Sequence, residues 1–326
     1  MESINYTAFI ELTDPEFEQF EYEWLNQRVI DVGNDGQSYR LTRKGIVIGL
    51  LLIEPVQKLE DLLAIESFHR LESHGFLTHS FLKMVFEIDP MRLTELEAKF
   101  SKESIDNLLI AYIEHSLIVF NIAQPGIFGY EGGILIKNNK IINEIGRQHH
   151  FMGYSLYQSN EIGWPEIKKL DYEKTWNWYW QNENILGMSS TKLERALTAF
   201  SYLFFSDLFT MPHHVIFWSL IGLEALYCKG NSNLLGQLSE KSELFLGKRL
   251  ANKFHFSKMY DYRSRYVHGD LNFPNKFLYE DLSDEINLYY SNAGTNTSIA
   301  TALLIATLQK MVIEDMSELN FVYSLE

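Results

Sequence analysis

Two side chains in the C-terminal third could between them move a proton and hold a phosphate: Arg263 and His268, in the segment Tyr260-Asp-Tyr-Arg-Ser-Arg-Tyr-Val-His268-Gly269. An imidazole titrates near neutrality, so it can withdraw a proton from a ribose 2′-OH or protonate a leaving oxygen. A guanidinium offers paired donors to a phosphate while charge develops on it. Placed correctly, these two groups suffice for metal-free RNA transesterification. The spacing alone says little, because an arginine followed closely by a histidine arises by chance about once in such a chain at ordinary residue frequencies. Arg249 and His255 make the same loose pair.

Helix geometry adds a constraint. Five residues at about 100° each put Arg263 and His268 about 140° apart on a continuous helix, so they do not share a face. Ser264 and Arg265, at i−4 and i−3 from His268, do share it. Three arrangements remain open: the helix loosens before His268, the long Arg263 side chain reaches around, or the arginine comes from a second copy of the chain. In each, Arg265 is a credible further phosphate contact. Glu224 is the lone carboxylate of the apolar segment VIFWSLIGLEALY, and if buried it must be paired or hydrogen-bonded. Arg263 or Arg265 is its expected partner, in a tie between helices more than a chemical role. Tyr262 and Tyr266 are expected to pack and not to stack bases.

The helix Phe217-Trp218-Ser-Leu-Ile-Gly-Leu-Glu224-Ala-Leu-Tyr227, followed by the Tyr260 to Gly269 segment, resembles the ApeA-like HEPN family over roughly residues 185 to 315. The resemblance implies an all-α bundle that forms a homodimer through its helical domain. It implies a metal-independent, cofactor-free endoribonuclease with RNA as substrate, the kind of effector found in bacterial antiphage defence, toxin–antitoxin and stress systems, with a phage or host trigger. It also implies that Arg263 and His268 carry the R-x(4–6)-H motif as the catalytic pair; Ser264 and Arg265, from helix geometry, and Glu224, from its place in an apolar helix, are the expected supporting residues. In many active members the residue after the arginine is Asn, Asp or His. Serine is usual in the ApeA-like branch, and the Ser264 hydroxyl can still donate a hydrogen bond. The alternative is a non-catalytic HEPN scaffold that binds RNA, nucleotide or a protein partner, which Ser264 and the acidic charge favour.

The elements that must position these residues fall into two halves. A chain of 326 residues exceeds the usual domain of about 100 to 200. The expected class is α+β: a mixed α/β domain over residues 1–170, as a possible sensor or regulatory module, then a HEPN-type helical bundle over 171–326. In the first half Thr13-Asp-Pro-Glu16 reads as a helix start. Residues 45–53, 117–122 and 127–136 read as strands, with helices at about 57–74 and 91–114 between them. The aromatic cluster Trp176, Trp178, Tyr179 and Trp180 falls in the junction and is expected to pack between domains. Later, apolar periodicity predicts helices at about 190–210, 213–228, 233–247, 255–268, 281–291 and 295–315.

Composition narrows the chemistry further. A net charge of −15 argues against broad non-specific nucleic-acid binding, so any RNA contact must be local. One locality exists: Lys248 to His268 holds Lys248, Arg249, Lys253, Lys258, Arg263 and Arg265 against the single acid Asp261. The only cysteine is Cys228, which excludes an intrachain disulfide and a cysteine-based zinc site, fits a reducing cytoplasm, and is expected to be a buried core residue. The start MESINYTAFIELTDPEFEQF has neither the basic opening nor the apolar core of a secretory signal. The apolar stretches 104–123 and 200–227 are interrupted by charged residues, so no membrane span is expected. His69, His74 and His79 recur at an interval that rotates successive side chains by about 140° on a helix, which disfavours convergence on a metal. His149-His150 and His213-His214 are expected in surface or capping roles. Glycines 126, 129, 132 and 133 lack the following lysine of a phosphate-binding loop.

Overall fold

The computed structural model describes residues 4–13, 39–43, 46–53, 80–88, 91, 94, 98, 102–126, 129–138, 140–145, 152–184, 187–204, 212–249, 256–273 and 284–321. The protein is α+β and mostly helical. Its contacts divide it into two units, residues 1–118 with 127–149, and residues 119–126 with 150–326.

The first unit carries a six-stranded antiparallel sheet: β1 (Ile4–Thr13), β2 (Tyr39–Arg43), β3 (Ile46–Ile53), β4 (Ser80–Ile88), β5 (Gly129–Lys137) and β6 (Lys140–Ile145). Their order is β2-β3-β4-β1-β5-β6. Strand β4 buries Leu82, Met84, Phe86 and Ile88 and leaves Lys83, Val85 and Glu87 partly exposed, the period of two that a one-sided sheet face requires. The register sets Tyr6, Ala8 and Ile10 of β1 opposite Phe86, Met84 and Leu82, so the buried side chains fall on one face. Gly133 of β5 is forced by close approach, because a Cβ there would lie 2.6 Å from the Phe9 carbonyl oxygen.

Between β4 and β5 the chain forms helix α1 (Lys102–Ala123). Residues 119–126, at its end, belong to the second unit. That unit continues with α2 (Gly153–Ile162), α3 (Tyr172–Asn182), α4 (Lys192–Phe204), α5 (Pro212–Tyr227), α6 (Leu234–Leu246), α7 (Phe256–His268) and α8 (Asp284–Ile313). Helix α4 starts on a capping box: the Glu194 N–H donates to Thr191 Oγ1 (3.0 Å) and the Thr191 N–H to Glu194 Oε2 (3.0 Å), so both orphan donors are satisfied. Helices α5 and α8 form the centre. Ser219 and Thr301 share a hydrogen bond of 3.1 Å, and the Tyr227 and Thr307 hydroxyls one of 2.8 Å. Gln309 ties α8 to the end of α1, donating to the Ile122 carbonyl (2.8 Å) and the Lys168 carbonyl (2.7 Å) and accepting from the Lys168 N–H (2.8 Å). These bonds answer the demand that buried polar groups be paired.

Several expectations are corrected. Residues 117–122 lie inside α1, not in a strand; Ile105, Leu109, Tyr112, Ile113 and Leu117 are all buried at helical spacing, and a short apolar run does not by itself distinguish the two states. The expected helices at 281–291 and 295–315 are one helix. Its apparent break, Ser291-Asn-Ala-Gly-Thr-Asn, is carried through on the buried side chains of Ala293, Thr297 and Ala300, while the Thr295, Asn296 and Thr297 side chains bond back to the carbonyls of Ser291, Asn292 and Ala293. The residue 170 boundary lies some way past the contact division at 149/150, since α2 already packs on α8. Within the second unit, Trp176 of α3 packs against Trp180 (5.2 Å between centroids) and Trp178 Nε1 donates to the Met316 carbonyl (2.9 Å), which leaves the expected packing between domains untested. The stretches Ile105–Ala123 and Ser291–Ile313 are long and apolar enough to span a membrane, yet 61% and 83% of them are buried inside the protein. The helix start at Asp14 to Glu16, the 57–74 helix, the His69, His74 and His79 series and His149-His150 lie outside the described residues.

Candidate active site

Helix α7 exists because Phe256, Met259 and Tyr262 bury one stripe against α5, α6 and α8. It ends on a glycine cap. Gly269 adopts φ +77°, its N–H donates to the Tyr266 carbonyl (3.2 Å), and the Asp270 N–H donates to the Arg265 carbonyl (2.8 Å). This 6→1 and 5→2 pair closes the helix with a left-handed residue that glycine adopts without strain. The cap fixes His268 as the last helical residue, exposed to solvent.

Because the helix is unbroken from Phe256 to His268, the Arg263 and His268 side chains leave it about 140° apart. Of the three arrangements open from sequence, loosening before His268 is absent. Ser264, Arg265 and His268 are exposed, whereas Arg263 is half-buried. Tyr260 and Tyr266, the α7 residues that meet Glu224 and His213 of α5, straddle the direction of Arg263. Arg263 therefore points toward α5, and Arg265 points about 160° away from it.

This geometry corrects the expected partner of Glu224. Among the described residues Glu224 makes no ion pair with either arginine. The carboxylate instead faces the Tyr260 phenol, which sits one turn before Arg263. Burial first, then the Glu224 charge, push the Tyr260 hydroxyl well above its ordinary range, while Arg263 draws it down. The two groups are in electrostatic contact without hydrogen-bond geometry: Glu224 Oε1 and the Tyr260 hydroxyl are buried atoms with no hydrogen-bond partner. Cys228 lies close by in the core. Burial and then Glu224 push its thiol up to about 11, which keeps it protonated and unreactive.

Sequence reasoning missed His213. It is buried, at 6% exposure, and its ring stacks on Tyr266 at 3.9 Å between centroids with 13° between planes. Phe273, beyond the cap, lies 5.5 Å from the Tyr266 ring. Burial, then the neighbouring His214, lower the His213 pKa to about 4. The surface role expected for it is replaced by a structural one: it packs the C-terminal end of α7, where the motif sits, onto α5. Its position at the start of an otherwise apolar helix was the available signal. Tyr262 and Tyr266 pack as expected. Tyr262 donates to the Tyr289 hydroxyl at 3.4 Å.

On the exposed side of α7 a groove of about 700 Å³ opens against α8, and Arg265, Lys258 and Asp261 line it. Arg265 is loosely held: Nη1 lies 4.0 Å from Asp261 Oδ2, and Nη2 donates to the Asp270 carbonyl at 3.5 Å. The rival pair is less suited to chemistry. Arg249 is bound to Glu243 at 2.7 Å and sits 5.1 Å from the Phe256 ring centre, and His255 lies outside the described residues. No group of three histidine, cysteine, aspartate or glutamate side chains converges among the described residues. In comparisons with known proteins, the chain matches no family model, no curated protein and no solved structure.

Proposed function

We propose that the helical unit is a HEPN-type, metal-independent endoribonuclease, a cytoplasmic effector of bacterial antiphage defence or stress response. The observation that carries this reading is the exposed end of α7. A capped helix presents His268 at its last position, with Ser264 and Arg265 on the same face. His268 takes the proton of a ribose 2′-OH, O2′ bonds to the adjacent phosphorus, and the P–O5′ bond breaks. The leaving O5′ is protonated by water or by the His268 of a second copy, giving 2′,3′-cyclic phosphate and 5′-OH ends. Arg265 and Arg263 balance the charge that builds on the phosphorane. Arg263 faces α5, so it serves this phosphate by reaching around the helix or from a second copy in a homodimer. The sheet unit then acts as the sensor for the trigger.

The separation of Arg263 from His268 favours a second reading, a non-catalytic HEPN scaffold that holds RNA, nucleotide or a protein partner. One experiment divides them. Purified protein is incubated with a mixed RNA pool in EDTA beside His268→Ala and Arg263→Ala, and new ends are mapped. The nuclease reading expects cyclic-phosphate ends from the wild type and a loss of about a hundredfold or more in each variant, the scale of a general acid–base group. Equal cleavage by the variants, or no cyclic-phosphate ends at all, leaves the scaffold reading standing.

A further inference from the structure

Away from the motif, the end of α3 meets the start of α4 through a pair of carboxylates. Glu183 follows the last helical residue of α3, and its N–H donates to the Tyr179 carbonyl (2.9 Å). Its Oε2 atom is buried without a hydrogen-bond partner, a costly state for an ionised carboxylate. From α4 it meets another acid, Glu194. The capping box turns the Glu194 side chain back over the start of α4, where Oε2 accepts from the Ser190 N–H, the Ser190 hydroxyl (2.8 Å) and the Thr191 N–H (3.0 Å). The backbone N–H groups of Ser190 and Thr191, then the Ser190 hydroxyl, hold Glu194 below its ordinary range, because bonds to the charged form favour it. Glu194 is therefore a fixed negative charge beside Glu183.

The groups that face Glu183 are Tyr179 on its own helix and Glu194 on α4. Neither is a cation. The Tyr179 phenol is pushed far up by burial and then by Glu183, so it stays protonated. Among the described residues Glu183 makes no ion pair, and Arg195, next to Glu194, donates to the Ser190 carbonyl (3.1 Å). We propose that the last turn of α3 is a proton-controlled latch: while Glu183 keeps its proton the turn stays closed against α4, and when the proton passes to water the carboxylate swings into solvent and the turn unwinds. Burial first, then the Glu194 charge, raise the Glu183 carboxyl from 4.5 to about 7, against a smaller downward pull from the Asn184 N–H. In the open turn the group faces water and titrates near 4.5 again. The closed turn is thus most stable below pH 4.5 and loses that stability as the pH rises to about 7. Across this window opening becomes easier by up to about tenfold per pH unit, and above it no easier. The latch is independent of any chemistry at His268.

Amide hydrogen exchange on the full chain, resolved by mass spectrometry for the amides of Trp180 to Glu183, tests the latch in wild type, Glu183→Gln and Glu194→Gln. Glu183→Gln is uncharged and of nearly the same shape, so its turn should stay closed at every pH. Dividing the wild-type rates by those of Glu183→Gln at each pH cancels the intrinsic pH dependence of exchange and the titration of histidines common to both. The ratio is expected to climb at least about tenfold between pH 5 and 7 and then to level off. Glu194→Gln keeps a capping acceptor and removes the charge, so its climb, against the same reference, should end at a lower pH. A ratio that does not change with pH, or a climb that ends at the same pH in Glu194→Gln, overturns the latch. If circular dichroism shows that Glu183→Gln does not fold, the offset between wild type and Glu194→Gln decides alone.

Discussion

The separation of Arg263 and His268 has a consequence that can be measured in mixtures. An α-helix with its side chains is about 10 to 12 Å across, whereas both groups must come within about 3 Å of one phosphate. With the helix intact to His268 and Arg263 directed at α5, a site that uses both groups is most simply built from two copies, Arg263 from one and His268 from the other. Arg263→Ala and His268→Ala are each expected to be nearly inactive as homodimers. When equal amounts are co-expressed and pair at random, half of the dimers are mixed. In a two-fold dimer each mixed pair holds one site with both wild-type groups and one with neither, so about a quarter of wild-type activity should return. The assay counts cyclic-phosphate ends per protein, with native mass spectrometry confirming that mixed dimers form. A mixture as inactive as its parents, with mixed dimers present, refutes a site shared in this way and requires Arg263 to reach around its own helix.

Two further expectations concern what holds the motif in place. The fold keeps His213 below its ordinary value of 6.5, at about 4, so the neutral ring is favoured; its contribution is complete above pH 6.5 and is lost as the pH falls from there toward 4. At about 1.4 kcal/mol per unit the ceiling is about 3 kcal/mol, and with exposed His214 beside it admitting water, about 1 kcal/mol is expected. Thermal melts across this window should show a steeper acid loss for wild type than for His213→Phe, which keeps a ring against Tyr266, and parallel curves would remove this account. Gly269→Ala, at φ +77° with nothing within 4 Å of the added Cβ, should destabilise by about 1 kcal/mol through backbone strain alone. Urea midpoints measure it, and an unchanged midpoint would mean that the cap does not hold the end of α7.

The helices around the motif were legible because their apolar positions recur with the helical period: over the described residues α4, α5, α6 and α7 lie within a few residues of the expected ranges. The sheet was less so. Strand β3 is an apolar run bounded by turn residues, but β1, β4 and β6 mix charged and apolar side chains, and pairing with neighbours across the sheet fixes them. Residues 117–122 and the apparent break at 291–296 fail for one reason: a short window does not show which longer helix the tertiary core will bury.

At the site, angle was legible and the partners were not. The five-residue step from Arg263 to His268 gives their separation before any coordinates, and the cap at Gly269 is implied by the residue itself. Which of the two faces is turned to the core follows from the Phe256, Met259 and Tyr262 stripe, on whose side Arg263 falls and His268 does not; the groups that meet that side, His213 on Tyr266 and Glu224 against Tyr260, belong to α5 and are not encoded within α7. A motif defined by arginine and histidine therefore divides in this fold into a half-buried cation on the α5 side and an exposed imidazole on the other. Arg265 belongs by position with the imidazole. If a single chain is to present a cation and a histidine to one phosphate, the geometry supplies Arg265 for it, and Arg263 is the residue whose contribution calls for another copy of the chain.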